Sequence, residues 1–203
     1  MARKAANGGE RIRQLLAQET ARLIVDHGIR DYRTAKIKAV ERLGMRAHGA
    51  LPGNAEIERA VSEHLRLFGR GSHLTLLSMM RKAALSAMEL LHPFTPRLVG
   101  PVLNGTADAN SAVNLHVFTD SAEAVAATLT SRGIRYRSYE RRLKTRRDRT
   151  DAFAGYRFHQ GESAIEATVF PVDGIRQAPI SPIDGRPMKR ADAKTVRGLI
   201  DRL

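Results

Sequence analysis

The apolar residues of this chain change their spacing once, near Arg97, and that change constrains the fold more than any other feature. Before Arg97 they recur every three or four residues, which is the period of an amphipathic helix. After it they alternate with polar residues in several short stretches, which is the period of strands. Helices followed by strands predict an α+β fold, in which helices cover one face of a mixed sheet.

Four helices are predicted in residues 1–95. The first runs from about Glu10 to Gly28 and the second from about Asp31 to Gly44, with Asp31 as its N-cap. The third follows a candidate cap at Asn54. The fourth is the apolar segment HLTLLSMMRKAALSAMELL, which ends where two prolines make helical geometry unfavourable.

The rest of the chain predicts the order strand, strand, helix, strand, strand, strand, and then a short final helix from about Ala191. The strand segments are RLVGPVL, AVNLHVF, IRYRSYERRLK, GYRFH and AIEATVFP, and the helix among them is SAEAVAATLTSRG. We therefore expect a helical region over residues 1–95, an α/β sheet domain over 96–175 and a turn-rich tail over 176–203.

The net charge of +13 favours a polyanionic partner, because a positive surface attracts nucleic acid through counterion release. The chain contains no cysteine, which excludes disulfides, thiolate zinc sites and cysteine nucleophiles. No apolar run approaches the roughly 20 residues of a membrane span. The first residues also lack the apolar stretch of a signal peptide. We expect a cytoplasmic protein without a membrane partner.

The segment GPVLNGTADANSAVNL joins the first two predicted strands. Its spacing resembles the signature of the polymerase-beta-like nucleotidyltransferases, in which a glycine-serine pair ends one strand and two aspartates lie one residue apart on the next. On this resemblance Gly100 matches the family glycine and Pro101 replaces the serine. Ala112 and Asn114 replace the aspartates. The full length also resembles an uncharacterised group of bacterial proteins labelled nucleotidyltransferases, which implies a nucleotidyltransferase-like sheet domain.

The replaced aspartates bear on catalysis, because in that family they hold two magnesium ions that neutralise the triphosphate. Alanine offers no ligand, and a neutral asparagine oxygen binds magnesium more weakly than a carboxylate does. His116 shares a strand face with Ala112 and Asn114. The resemblance implies a third carboxylate from a later strand, for which Glu166 is the candidate. Gly100 and these four residues form a candidate vestigial site, for which we expect no cofactor and no metal.

Other interpretations of this segment stay open at this point. Asp108 or Asp120 would supply a metal ligand if the strand register were shifted. Their simpler roles are a turn residue for Asp108 and a helix cap for Asp120. The glycines would also suit an ordinary tight turn. An active nucleotidyltransferase would need an altered metal site of Asn114, His116 and Glu166, with magnesium and a nucleoside triphosphate.

The densest positive charge lies in IRYRSYERRLKTRRDRT, where tyrosines stand among arginines. Arginine binds phosphate bidentately, and tyrosine gives a stacking surface for unpaired bases, so this segment predicts RNA or single-stranded DNA binding. An edge strand protected by charge is the alternative. The candidate binding residues are Arg135, Arg137, Tyr139, Arg141, Arg142, Lys144, Arg146, Arg147 and Arg149, with Lys36 and Lys38 of the second helix. A further basic group near the end consists of Arg186, Lys189, Arg190, Lys194 and Arg197.

Taken together, these patterns predict a catalytically degenerate nucleotidyltransferase-like protein that binds nucleic acid, with structured RNA as the favoured partner. The first alternative is the active transferase with an altered metal site. The second is a helix-turn-helix DNA-binding protein, because ARLIVDHGIRDYRTAKIKAVERLG would place a basic helix after a short turn. Regulation of a protein partner by the degenerate domain is a third alternative.

Overall fold

The structure is a computed structural model that describes residues 2–29, 31–45, 51–68 and 71–202, without the side chains of residues 2–8, 66 and 68. The chain divides into two compact units. The first consists of Met1–His73 with Pro182–Asp184, and the second consists of Leu74–Ser181 with Gly185–Leu203. Within the described ranges, no helical segment has both the length and the hydropathy that a bilayer span requires.

The first unit is built from three helices, α1 (Ala2–His27), α2 (Tyr32–Arg42) and α3 (Asn54–Phe68). Helix α1 contacts both α2 and α3. Asp31 caps α2 as predicted, because its carboxylate accepts a hydrogen bond of 2.7 Å from the Thr34 amide. Apolar residues at helical spacing are buried between these helices, among them Ala21, Ile57 and Val61.

The second unit combines further helices with a sheet. Its elements are α4 (Ser72–Leu90, whose first two residues are grouped with the first unit), β1 (Arg97–Val99), α5 (Pro101–Asn104), β2 (Val113–Phe118), α6 (Ala122–Ser131), β3 (Arg137–Arg146), β4 (Arg149–Gln160), β5 (Ser163–Phe170) and α7 (Ala193–Ile200). Two short 3-10 helices lie at His92–Phe94 and Val172–Arg176. The five strands form one sheet in the order β1-β2-β5-β4-β3.

The sheet is mixed, which confirms the predicted α+β class. Strand β2 runs parallel to β5, and the other neighbouring strands are antiparallel. Val113, Leu115 and Val117 of β2 lie on one face and are fully buried, in a core that also contains Met88 of α4 and Leu129 of α6. The alternate residues of β2, β5, β4 and β3 therefore lie on the opposite face, away from α4 and α6.

The prediction of a strand over RLVGPVL is correct only as far as Val99 and is wrong beyond it. Strand β1 ends at Val99, Gly100 adopts a positive φ of 74° and Pro101 begins the short helix α5. Proline lacks an amide hydrogen and has its φ fixed near the helical value, so it suits the first position of a helix. The alternation of apolar and polar residues in the sequence therefore continues past Val99, although the Gly100–Pro101 pair ends the strand there.

The hairpin of β3 and β4 is longer than the sequence predicted. Strand β4 begins at Arg149 rather than at Gly155, and only Arg147 and Asp148 separate the two strands. Strand β3 begins at Arg137, so Arg135 precedes it instead of lying within it. The alternation is hard to see in the sequence because both faces of the outer hairpin carry polar side chains.

Candidate nucleic-acid interface

The sheet face opposite the helices carries four polar residues that are paired in register across four strands. Asn114 on β2 lies opposite Glu166 on β5. Glu166 lies opposite Arg157 on β4, and Arg157 lies opposite Arg137 on β3. We call these four residues the polar row. Glu166 and Asn114, two of the candidate vestigial-site residues, are thus neighbours in the sheet.

Arg141 reaches the polar row from further along β3. Its backbone lies opposite Phe153, four residues along β3 from Arg137, yet its Nη1 donates to Asn114 Oδ1 at 3.1 Å. Its Nη2 donates to Glu166 Oε2 in a short hydrogen bond. The guanidinium also lies over the Tyr139 ring, 5.4 Å from the centroid. One fixed cation therefore contacts both the asparagine and the carboxylate.

Glu166 is held between two arginines. Its side chain is only 16% exposed, and its second oxygen, Oε1, lies 3.4 Å from Arg157 Nη1. Burying a carboxylate is costly unless opposite charge and hydrogen bonds compensate for the lost water. Arg141 and Arg157 supply that compensation, so the carboxylate of Glu166 is already paired in this structure.

The Tyr139 ring lies close to Gly155 of the neighbouring strand. A Cβ atom on Gly155 would overlap the Tyr139 ring, so this position of β4 accepts only glycine while the ring stays in place. The hydroxyls of Tyr139 and Thr168 share a hydrogen bond of 2.9 Å. Burial raises the pKa of Tyr139 above its usual value. One face of the predicted stacking residue is therefore occupied by Gly155, and the ring supports Arg141.

Gly100 lies beside Asn114 in the structure. A Cβ atom on Gly100 would lie 3.2 Å from Asn114 Nδ2, and Gly100 has a positive φ that favours glycine. Asn114 Nδ2 donates to the Ala112 carbonyl at 3.3 Å, which turns Oδ1 toward Arg141. Ala112 precedes β2 and contributes this carbonyl to the arrangement.

His116 is buried, with 2% of its surface exposed. Its Nδ1 accepts a hydrogen bond of 3.1 Å from Arg190 Nε. Burial, Arg190 and Arg141 together lower the pKa of His116 to about 3, so the ring is neutral at physiological pH. Of the two nitrogens that could bind a metal, Nδ1 is therefore already engaged.

Arg190 is half-buried, unlike the solvent-facing charge that its place in the basic C-terminal group suggested. Its guanidinium lies 4.8 Å from the Phe118 centroid and 5.2 Å from the Phe170 centroid. It donates to the carbonyls of Gly174 and Ile175 at 2.8 and 3.1 Å. Burial lowers its pKa to about 10. Arg190 thus attaches the segment after β5 to the sheet face opposite the helices, which we call the open face.

The alternative metal ligands take other roles. Asp108 accepts hydrogen bonds from the Asn110 amide at 2.9 Å and the Ser111 hydroxyl at 2.7 Å, as a turn residue does. Helix α6 begins after Ser121, so the expectation that Asp120 caps it is wrong; Asp120 accepts a hydrogen bond from the Val172 amide instead. Among the described residues, no group of three or more histidine, aspartate or glutamate side chains is arranged to hold a metal ion.

The basic residues of the hairpin divide between the two faces of the sheet. Arg137 and Arg141 lie on the face of the polar row, together with Tyr139. Arg142 and Lys144 alternate with them and are exposed on the other side, where Arg142 Nε lies 3.5 Å from a Glu140 oxygen. The remaining candidates, Arg135, Arg146, Arg147 and Arg149, are also exposed. The hairpin therefore presents positive charge on both faces.

The two candidate lysines lie on α2 in the first unit. Lys36 Nζ donates to Asn54 Oδ1 at 2.8 Å. Lys38 is exposed and lines a cavity of about 340 Å³ with His27 and Arg42. The predicted turn of the helix-turn-helix includes residue 30, which lies outside the described residues.

Comparisons with known proteins give no family assignment. The sequence matches no protein-family model, no curated protein and no solved structure. The site must therefore be interpreted from its own geometry, in which a carboxylate, an amide and three arginines converge on the open face of the sheet.

Sequence reasoning missed two residues of this site, Arg157 and Gly155. Both lie in the predicted strand GYRFH, where they are separated by one residue and so share a face. The alternation could have identified that face. The register against β3 and β5, which brings Arg157 to Glu166 and Gly155 to Tyr139, depends on long-range pairing that spacing alone does not determine.

Proposed function

We propose that this protein binds nucleic acid, with structured RNA as the favoured partner, and that its sheet domain is a catalytically degenerate nucleotidyltransferase-like domain. The observation that supports a catalytically degenerate sheet domain is the pair of hydrogen bonds from Arg141 to Asn114 and Glu166. A guanidinium at this position repels a divalent cation and uses the carboxylate oxygen that such a cation would need.

The charge on the β3–β4 hairpin supports the nucleic-acid partner. Arg142, Lys144 and Arg146 are exposed on β3, and the exposed Arg147 follows them in the turn. Arginine contacts phosphate through parallel hydrogen bonds, and each phosphate contact releases a counterion. A structured RNA offers a folded surface of phosphates that a projecting basic hairpin can reach.

The experiment that tests this function compares two triple variants of the full chain. In the hairpin variant, Arg142, Lys144 and Arg146 are each replaced by glutamine. In the control variant, the exposed basic residues Arg11, Arg59 and Lys82 are replaced in the same way, so that the net charge changes equally. Fluorescence anisotropy then measures the affinity for a folded RNA and for duplex DNA at several salt concentrations.

We expect the hairpin variant to bind RNA more weakly than the control and to show a shallower dependence of log K on log salt. Each phosphate contact that is lost reduces that slope by about 0.7 to 0.9. If both variants lose the same affinity for RNA, the total charge of the protein determines binding and the position of the hairpin does not. Failure of the wild type to bind either nucleic acid would overturn the proposed function.

A cell-based measurement identifies the partner. The protein is crosslinked to nucleic acid in cells and purified under denaturing conditions, and the attached nucleic acid is sequenced. Enrichment of a defined RNA class relative to the hairpin variant supports the proposal and names the target. Recovery no greater than that of an unrelated basic protein contradicts it.

A further inference from the structure

Two arginines of the polar row face each other directly. Arg137 on β3 is the register partner of Arg157 on β4, and both lie on the open face of the sheet. Like charges directly opposite each other on neighbouring strands destabilise a sheet. The Arg137 side chain is exposed and makes no hydrogen bond or ion pair with the described residues, and the Arg157 side chain is 54% exposed. This juxtaposition favours an anion that both side chains can contact.

The charge of the cluster indicates what kind of anion fits. Arg141 and Arg157 contact the one carboxylate, Glu166, and Arg137 lies opposite Arg157, so the cluster carries two net positive charges. A phosphomonoester carries about 1.5 to 2 negative charges at neutral pH and presents three acceptor oxygens. An internal phosphodiester carries one charge and presents two free oxygens, so it matches the cluster less well.

We propose that Arg137 and Arg157, with Arg141 beside them, form a binding site for a phosphomonoester, either the phosphorylated end of a nucleic acid or a free mononucleotide. For the nucleic acid, this inference rests on the proposed function, because it names the part of the ligand that the open face of the sheet recognises. The site uses direct contacts between guanidinium groups and phosphate oxygens.

The three arginines contribute differently. Arg141 is fixed by Asn114 and Glu166, so it adds positive potential and loses little side-chain entropy when the ligand binds. Arg137 and Arg157 are exposed and supply the parallel donors that arginine offers to phosphate. Glu166 orients two of the three guanidinium groups, those of Arg141 and Arg157.

The test measures binding of the full chain to four probes: a short single-stranded RNA with a 5′-phosphate, the same RNA with a 3′-phosphate, the same RNA with hydroxyls at both ends, and adenosine monophosphate. The variant replaces Arg137 and Arg157 with glutamine. The control replaces Arg11 and Arg59, two exposed arginines outside the hairpin, in the same way. Circular dichroism and thermal unfolding check that both variants fold.

We expect the wild type to prefer a phosphorylated end by roughly tenfold or more, in line with the strength of a charge-assisted hydrogen bond. The preference should disappear in the Arg137/Arg157 variant and persist in the Arg11/Arg59 control. Adenosine monophosphate is tested in the same way: if it binds the wild type and fails to bind the Arg137/Arg157 variant, a free mononucleotide is a source of the phosphate.

Other outcomes separate this inference from the proposed function. Equal binding of phosphorylated and hydroxyl-ended RNA, with no binding of adenosine monophosphate, overturns the phosphomonoester site and leaves the nucleic-acid function standing. Binding of adenosine monophosphate without binding of any of the three single-stranded RNAs supports the site as one for a free mononucleotide, and the nucleic-acid function is then decided by the folded-RNA and duplex-DNA measurement. A phosphate preference that survives in the Arg137/Arg157 variant places the site elsewhere and overturns the assignment.

Discussion

Arg141 on β3 forms an ion pair with Glu166 on β5, although β4 lies between these two strands. The Tyr139 ring fills the space where Gly155 of β4 carries no side chain, and the Arg141 guanidinium lies over that ring. Any larger residue at 155 would displace that ring and, with it, the support of the guanidinium. The absence of a side chain on β4 is therefore what permits a contact between strands that are not neighbours.

The first prediction concerns the energy of this ion pair. Replacing Arg141 by methionine should lower the free energy of unfolding by about 1–3 kcal/mol, between the values for exposed and for fully buried pairs. The Arg141 side chain is 32% exposed and that of Glu166 is 16% exposed, so solvent screens the pair only in part. Urea unfolding of Arg141→Met, Glu166→Gln and the double variant measures the coupling.

Arg142→Met is the matched control for this cycle. Arg142 follows Arg141 directly on β3, and its side chain is 78% exposed beside Glu140. Its replacement should change stability by less than about 0.5 kcal/mol, as exposed charges usually do. A coupling between Arg141 and Glu166 near zero would show that the pair contributes no more than that exposed contact.

The second prediction concerns Gly155. Replacing it by alanine should destabilise the protein by about 1–3 kcal/mol, because the new methyl group overlaps the Tyr139 ring. In a Tyr139→Ala background the same replacement should cost much less, since the ring is gone. Thermal and urea unfolding of the four proteins measures this difference. An equal cost in both backgrounds would contradict the close contact.

Tyr139→Phe separates the ring from its hydroxyl. This variant keeps the ring over Gly155 and removes the hydrogen bond to Thr168, so it should cost about 0.5–1.5 kcal/mol. Gly155→Ala should remain costly in this background because the overlap involves the ring. A Gly155→Ala substitution that becomes tolerated in Tyr139→Phe would instead assign the constraint to the hydroxyl.

How far the sequence predicts this molecule depends on the range of the interactions. The sequence predicts the strand AVNLHVF and the helix SAEAVAATLTSRG because hydrophobic periodicity acts over a few residues. Local pattern was sufficient for these two elements. Asn114 and Glu166 became candidates through the resemblance to a family signature instead, and the structure places them opposite each other on neighbouring strands.

The roles of Arg141 and Arg190 could not be predicted in this way. In the sequence, both belong to basic groups that suggest solvent-facing charge, whereas the structure engages Arg141 with Asn114 and Glu166 and engages Arg190 with His116. Each contact joins residues at least 25 positions apart, so it depends on strand order and register. Spacing within one segment carries no information about such pairings.

The third prediction is a pH dependence caused by His116. Its pKa is lowered to about 3 in the folded protein, whereas an unfolded histidine titrates near 6.5. The contribution of neutral His116 to folding stability is therefore fully present above about pH 6.5. It is lost as the pH falls toward 3, because the unfolded chain then binds the extra proton more tightly. Urea unfolding between these pH values should show stability falling by up to about 1.4 kcal/mol per pH unit from this group.

His116→Leu should remove this part of the pH dependence, since leucine is apolar and does not titrate. His159→Gln serves as the control, because His159 is exposed on β4 and should leave the profile unchanged. If His116→Leu destabilises the protein equally at every pH, the histidine acts through packing alone and the proposed linkage is absent.

The fourth prediction concerns nucleotide transfer. Incubation of the wild type with magnesium and labelled nucleoside triphosphates should give no labelled product with RNA, DNA or protein acceptors, because the Arg141 guanidinium contacts both Asn114 and Glu166. Asn114→Asp should stay inactive for the same reason, since the new carboxylate would pair with Arg141 instead of a metal ion. Magnesium-dependent labelling by the wild type that Glu166→Ala abolishes and Arg142→Ala leaves intact would overturn the degenerate assignment in favour of a transferase with an altered metal site.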